Sequence, residues 1–440
     1  MSRLLEQTFV KKEFNYFITG QVFSQIGENM SKVSLAWLVF SLAGSQGAVS
    51  GISLLVILQA LPPLLFGWLY GHMIDSFGSK RSMLFYADIS RGAIFCLIPV
   101  FFFFHLLSLP LLYLFVFGAA VFSGLFGPAM FATIPEFAGA GTLVRRNTLI
   151  NVTGHIGILV GPLIGGLLSF YFKPGLVVFV TGLAFLISGF FIYKIKDVSF
   201  FTKGAFSDFF LRPIVLLKKA FTFHGVQENI LSNVFYAATF SKPSRLFCLM
   251  SFFVGVVLGP ITSLVPVYAK NVLHGGPETL GTLLTASGAG MLISSLLLSR
   301  SRRQFGSFYN NHNSFSWNEI FLTGTLFLSG MVLMPTALTT NLIIASAILF
   351  LGSGLADLFN PIMQTELQTM VPSDKLGKVL TSIGSFFLIG IILGTLVTPL
   401  CVKIIGVANT FVLVGLLRVL TAMIPLFLRN AKDYLPVFNK

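Results

Sequence analysis

Long apolar runs alternate with short polar gaps along the chain, and that rhythm predicts its elements. A bilayer-spanning helix needs about 20 mostly apolar residues. On that ruler twelve helices fall at roughly 14–41, 48–70, 82–104, 109–133, 147–170, 176–194, 246–270, 279–299, 319–338, 341–370, 378–401 and 407–428. The first and tenth are long enough to tilt or run past the hydrocarbon. Between 195 and 245 the rhythm breaks: Lys196, Lys203, Arg212, Lys218, Lys219, Lys242 and Arg245 interrupt apolar pieces too short to cross. The expected fold is all-α and integral to the membrane, with a six-helix bundle at 1–194, a linker at 195–245 and a second six-helix bundle at 246–440. The aromatic and basic stretch DFFLRPIVLLKKAFTF inside the linker reads as a helix on the membrane surface.

Charge tests this count independently. With the N-terminus inside, the cytoplasmic segments hold Arg3, Lys11, Lys12, Lys80, Arg81, Arg145, Arg146, the linker's basic residues, Arg300, Arg302, Arg303, Lys375, Lys378, Arg429, Lys432 and Lys440. The opposite side receives Lys173, Lys270 and Lys403. A missed helix would scramble that asymmetry, so both termini are expected in the cytoplasm of an inner-membrane protein.

Composition agrees. Only 10% of the 440 residues are charged and 55% are hydrophobic, whereas a soluble domain carries roughly 25% charged residues. The net charge of +14 lies singly or in pairs between apolar runs, which speaks against nucleic acid as a partner. Cys96, Cys248 and Cys401 are far apart and show no metal or disulfide spacing. Of the six histidines only His155 falls inside a predicted helix, so no metal site is expected. The opening MSRLLEQTFVKKEFNYF lacks a short apolar core and cleavage site, so the first helix is expected to serve as the insertion signal.

Polar groups inside predicted spans are the first functional candidates, because they are costly there. In helix 1, Gln21, Gln25, Glu28 and Lys32 lie four, three and four apart on one face, with Asn29 alongside. At 1.5 Å per residue Glu28 sits roughly 20 Å into the helix, near the bilayer middle. The stripe reads as the wall of a polar cavity and Glu28 as a candidate proton carrier; an intrahelical Glu28–Lys32 pair is the simpler alternative. Asp357, Asn360 and Gln364 repeat the spacing in helix 10, where helix–helix hydrogen bonding is the alternative. Asp88 and Arg91 read as a structural pair three residues apart. Arg418, in helix 12, needs a carboxylate or a water-filled pocket.

The loop after helix 2 contains Gly71, Asp75, Gly78, Lys80 and Arg81, a GxxxDxxGxKR spacing that permits a tight turn. Here the chain resembles the major facilitator superfamily, whose signature occupies this place and latches the two halves together. The resemblance implies a conformational-switch role for these five residues and a pseudo-two-fold pair of six-helix bundles. The basic Phe-Gly segment SRSRRQFGS after helix 8 echoes the loop. Gly157, Gly161, Pro162, Gly165 and Gly166 in helix 5 resemble the family's exporter motif GxxxGPxxGG. Close helix packing is their other reading.

The pieces AGSQGAVSG, FGPAMFATIPEF, RRNTLIN and LQTMVPSDKLGKV resemble the drug- and siderophore-exporting branch, which includes enterobactin exporters and macrolide efflux proteins. Helix 4 carries no Arg where many proton-coupled members have one, and Arg146 stands where Ala is usual. No GxxxxGK[ST], HExxH or GxSxG sequence occurs, so neither an enzyme nor an ATP-driven pump is expected. What the resemblance implies is a monomeric, cofactor-free, ion-gradient-driven exporter of a small amphipathic molecule, coupled to protons and in contact with membrane lipids. A lysophospholipid transporter and a non-transporting receptor or accessory protein stay open.

Overall fold

The computed structural model describes residues 2–76, 79–137, 143–195, 209, 232–305 and 317–430. Helix α1 (Ser2–Ser76) carries spans 1 and 2. Spans 3 to 6 are α2 (Lys80–Phe103), α3 (Leu109–Phe137), α4 (Leu143–Tyr171) and α5 (Pro174–Tyr193). The short α6 (Ser232–Phe240) precedes α7 (Lys242–Asn271) and α8 (Pro277–Phe305), spans 7 and 8. Span 9 is α9 (Trp317–Leu333) with a 3-10 turn at Met334–Leu338. Span 10 is α10 (Leu342–Asp357) followed by α11 (Phe359–Met370). Helix α12 (Ser373–Asn430) carries spans 11 and 12.

Among the described residues, ten stretches are long and apolar enough to cross a membrane. One of them, Lys375–Pro425, is 51 residues long and is divided at Gly406, whose φ of 81° favours glycine. The run before Gly44 is not among the ten, because Glu28, Lys32 and their polar neighbours lower its hydropathy. Dividing the one and adding the other gives twelve crossings. Phe104, Leu114, Leu396 and Leu400 are well exposed, as suits side chains that face lipid tails.

The structure corrects three expectations. Spans 1 and 2 are joined by helix, with only Gly44 (φ 66°, ψ −179°) departing from it, where a loop at 42–47 was expected. Span 10 is not one helix: it breaks at Leu358. Pro361 has no N–H to offer the Asp357 carbonyl four residues back, and its ring crowds that oxygen. His72 lies within α1, so His155 is not alone in a helix.

Two compact units make up the chain, residues 1–47 with 58–231 and residues 48–57 with 232–440. In the first, Phe17, Met83, Leu84, Phe137 and Ile192 anchor an apolar core. In the second, Leu326, Phe359, Leu367 and Val379 do so. The expected surface helix of the linker lies outside the described residues. Phe209, which is described, is buried against Tyr86 and Phe122, at 5.1 and 6.1 Å between ring centres. Helix α6 is tied to span 11 by Ser382, whose hydroxyl accepts from the Ala237 N–H (3.0 Å) and donates to the Val234 carbonyl.

Glycines set the closest helix crossings in both units. In the first, spans 3 and 6 meet at Gly92 and Gly182, and span 5 meets span 1 at Gly157 and Gly161. In the second, spans 9 and 12 meet at Gly330 and Gly415, and spans 7 and 11 at Gly255 and Gly390. The pairing 3 with 6 and 1 with 5 thus recurs six spans later as 9 with 12 and 7 with 11, an internal repeat written in backbone contact.

Candidate functional site

Span 1 supplies the acid at the centre of the first unit. Glu28 has a side chain 44% exposed, unlike the buried core around it. Its Oε2 accepts from the Arg91 guanidinium on span 3 (3.1 Å) and faces the Ser123 hydroxyl on span 4 (3.4 Å). Arg91 is almost wholly buried and also pairs with Asp88, one turn back on its own helix. The Ser24 hydroxyl, on span 1, accepts from Arg91 (3.0 Å) and lies 3.3 Å from Asp88. Ser188 on span 6 donates to the other Asp88 oxygen (2.5 Å). Phe126 and Phe185 lie against the guanidinium, their ring centres 4.3 and 4.4 Å from its carbon. Four spans therefore hold one cation between two carboxylates, and only Glu28 is substantially open to solvent.

The alternative reading, an intrahelical Glu28–Lys32 pair, is not the contact formed. Lys32 donates to the Asn29 side-chain oxygen (2.8 Å), and Asn29 donates to the Gln25 carbonyl (2.8 Å). Lys32 is exposed and Gln25 and Glu28 are partly so, while Asn29 is buried. The stripe thus opens progressively along the helix from its buried end at Gln21. Gln21 is fully buried, and neither of its amide atoms has a partner among the described residues.

Span 5 lies against this polar helix because its glycines allow it. A Cβ at Gly157 would come within 2.6 Å of Gln25, one at Gly161 within 2.8 Å of Asn29, and one at Gly165 within 2.9 Å of Met30. Pro162 and Gly166 are buried in the same helix. The glycine motif of span 5 and the polar stripe of span 1 form one interface.

Of the loop residues, Gly71 is exposed with open space around it. Asp75 lies in the last turn of α1 with its side chain outside the described residues, as is Gly78. Lys80 donates to the Ala132 carbonyl on span 4 (3.2 Å). Arg81 pairs with Glu13 (3.8 Å) and lies over the Phe137 ring. Both basic residues of the loop motif thus bind helices of their own unit. Arg146, where the resembled branch has Ala, lies 4.5 Å from the centre of the Phe14 ring. In the second unit Asp357 accepts from Ser295 on span 8 (3.1 Å), while Asn360 and Gln364 are exposed beyond the helix break.

Sequence reasoning missed the link from Glu28 to Arg91. The signal was there: two acids and a base inside apolar spans 1 and 3 require charge balance in a medium that cannot solvate them. Among the described residues no group of His, Cys, Asp and Glu is arranged to hold a metal ion.

A twelve-span all-α membrane protein with a charged network inside its first repeat has the build of a membrane transporter. The chain belongs to the transmembrane secretion effector family of the major facilitator superfamily, whose model matches residues 7–434. It is 25% identical over 417 residues to an uncharacterized MFS-type transporter, YfiS, of Bacillus subtilis (strain 168), covering 93% of this chain and 91% of that one. It is 23% identical over 421 residues to macrolide efflux protein A of Streptococcus pyogenes, covering 94% and 95%. Among solved structures it shares its fold with a peptide transporter POT in complex with sulfate (TM-score 0.70, 11% identity, 96% and 94% covered). A bacterial homolog to the human lysosomal transporter Spinster is similar too (TM-score 0.67, 12% identity, 94% and 95% covered). The protein is a transporter and not an enzyme.

Proposed function

We propose that this transporter exports a small amphipathic molecule, siderophore-like or drug-like, by alternating access, in exchange for protons. It does so in the inner membrane with both termini in the cytoplasm. The observation that carries the reading is Glu28: a half-exposed carboxylate within a membrane span, held by a buried arginine that a second acid, Asp88, already partners. With Glu28 ionised, the formal charges of Glu28, Asp88, Arg91 and Lys32 cancel. Proton binding leaves one positive charge, so a proton and a basic cargo group disfavour each other at this site. Mutual exclusion of that kind is what exchange transport requires, and differential affinity in the two access states turns it into work. The efflux relative and the glycine motif of span 5 favour export over import. The lack of a nucleotide-binding sequence favours an ion gradient as the energy source.

Reconstituted protein assayed with macrolide-type and siderophore-type cargo tests the reading. Flux should follow an imposed pH gradient and collapse with a protonophore, and Glu28→Gln should abolish the gradient dependence. Flux that ignores the gradient in the wild type, or an unchanged gradient response in Glu28→Gln, defeats it.

A further inference from the structure

The second unit holds a buried cation that the first unit's logic leaves unbalanced. Arg418, on span 12, is 5% exposed, and it makes no hydrogen bond, ion pair or ring contact with any described residue. A guanidinium does not shed its proton, so its charge must be met by something other than a shift in protonation.

The glycine crossings show why no acid meets it among the described residues. A Cβ at Gly92 would meet Leu186 and the Gly182 carbonyl, and one at Gly182 would meet Cys96 and the Gly92 carbonyl. In the second unit a Cβ at Gly330 would meet Val419 and the Gly415 carbonyl, and one at Gly415 would meet Met334 and the Gly330 carbonyl. Leu186 follows Gly182 by the same four residues as Val419 follows Gly415, and Cys96 and Met334 match likewise. The two crossings therefore share one register. In that register Arg91 corresponds to Ser329, Asp88 to Leu326, Ser188 to Thr421, and Phe185 to Arg418. The arginine has moved to the partner helix, and the place of its acid is taken by a buried leucine.

The hydroxyls of the matched crossing are engaged by their own helices. Ser329 donates to the Leu326 carbonyl (2.8 Å) and Thr421 to the Leu417 carbonyl (2.7 Å). Asp357 is engaged by Ser295 on span 8, and Glu278 by its own loop at Gly276. A cavity of about 250 Å³ lies between spans 7, 11 and 12, walled by Val256, Pro260, Gly394, Val397, Val414 and Leu417, with Arg418 outside its wall. Leu417 directly precedes Arg418 and Val414 lies one turn away. The threonines that also line it, Thr398 and Thr410, donate to carbonyls of their own helices.

The geometry points to an anion-binding site at Arg418 inside the second unit, taking one singly charged anionic group. Two sources share that chemistry: a free inorganic ion beside the guanidinium, or the head of an amphipathic acid whose chain fills the apolar cavity. The site is separate from the Glu28 network and stands whether or not that network carries protons.

Thermal unfolding of the full chain in phosphatidylcholine nanodiscs tests it, titrating chloride or decanoate against gluconate at fixed ionic strength. The wild type should show a saturable rise in Tm of about 2–4 °C. A response to chloride identifies the inorganic ion, and a response to decanoate alone identifies the amphipathic acid. Arg418→Met should lose the response. Ser329→Asp, placing a carboxylate where Arg91 stands in the matched crossing, should raise the Tm in gluconate and also lose the response. A wild-type Tm equal in all three salts overturns the site, as does a response that persists in Ser329→Asp and in any folded Arg418→Met.

Discussion

Arg91 decides the character of the first unit at the residue scale. It is held by Asp88, Glu28 and Ser24 and flanked by two rings, a set that only a planar, multi-donor cation satisfies. Removing one partner of a buried pair strands the other, so Asp88→Asn should cost about 3–5 kcal/mol of stability. Replacing both residues with Asp88→Leu and Arg91→Met should cost less than the sum of the two single changes. Thermal unfolding of the three variants forms the cycle that checks this, and strict additivity would deny the coupling. Arg91→Lys should not restore wild-type stability, because an ammonium reaches one acid at a time. The Asp88–Arg91 pair was legible from a three-residue spacing on one helix. The reach to Glu28 was not, since it joins residues 63 positions apart.

At the scale of elements, glycines choose neighbours and prolines choose breaks. Gly161 meets Asn29 and the Ile26 carbonyl, whereas Gly154, two turns earlier on the same helix, has open space around it. Gly161→Ala should therefore destabilise by about 1–3 kcal/mol. Gly154→Ala should be neutral or stabilise by up to about 1 kcal/mol. Equal effects from the two in a thermal-shift comparison would show that span 5 does not pack as described. Pro361→Ala restores the missing donor at the span 10 break. It should leave the protein folded and slow turnover several-fold if the break is a working hinge, measured as initial flux in proteoliposomes. The glycine motif of span 5 was visible in the sequence, but its target was not. The span 10 break was within reach, because Pro361 sits where a continuous helix needs an N–H.

For the whole molecule, the basic residues make a topological prediction. Reporter fusions at the two ends should give the same sidedness, and fusions next to Lys173 and Lys403 the opposite one. Fusions that place the ends on different faces would contradict an even number of crossings. The repeat is also a whole-molecule property. The loop echo hinted at it, but part of the segment after span 8 lies outside the described residues, and the matched crossings at Gly92–Gly182 and Gly330–Gly415 express it better.

From the sequence by itself follow the membrane class and the twelve crossings. These rest on local quantities: run length against bilayer thickness, and spacing along one helix. Only the tertiary structure decided that Glu28 belongs to Arg91 and not to Lys32, that the span 5 glycines lie against the polar helix, and that Arg418 has no acid beside it among the described residues. In a bilayer every uncompensated charge and every close backbone approach is settled between helices. The partners lie tens of residues apart, beyond the reach of any local pattern.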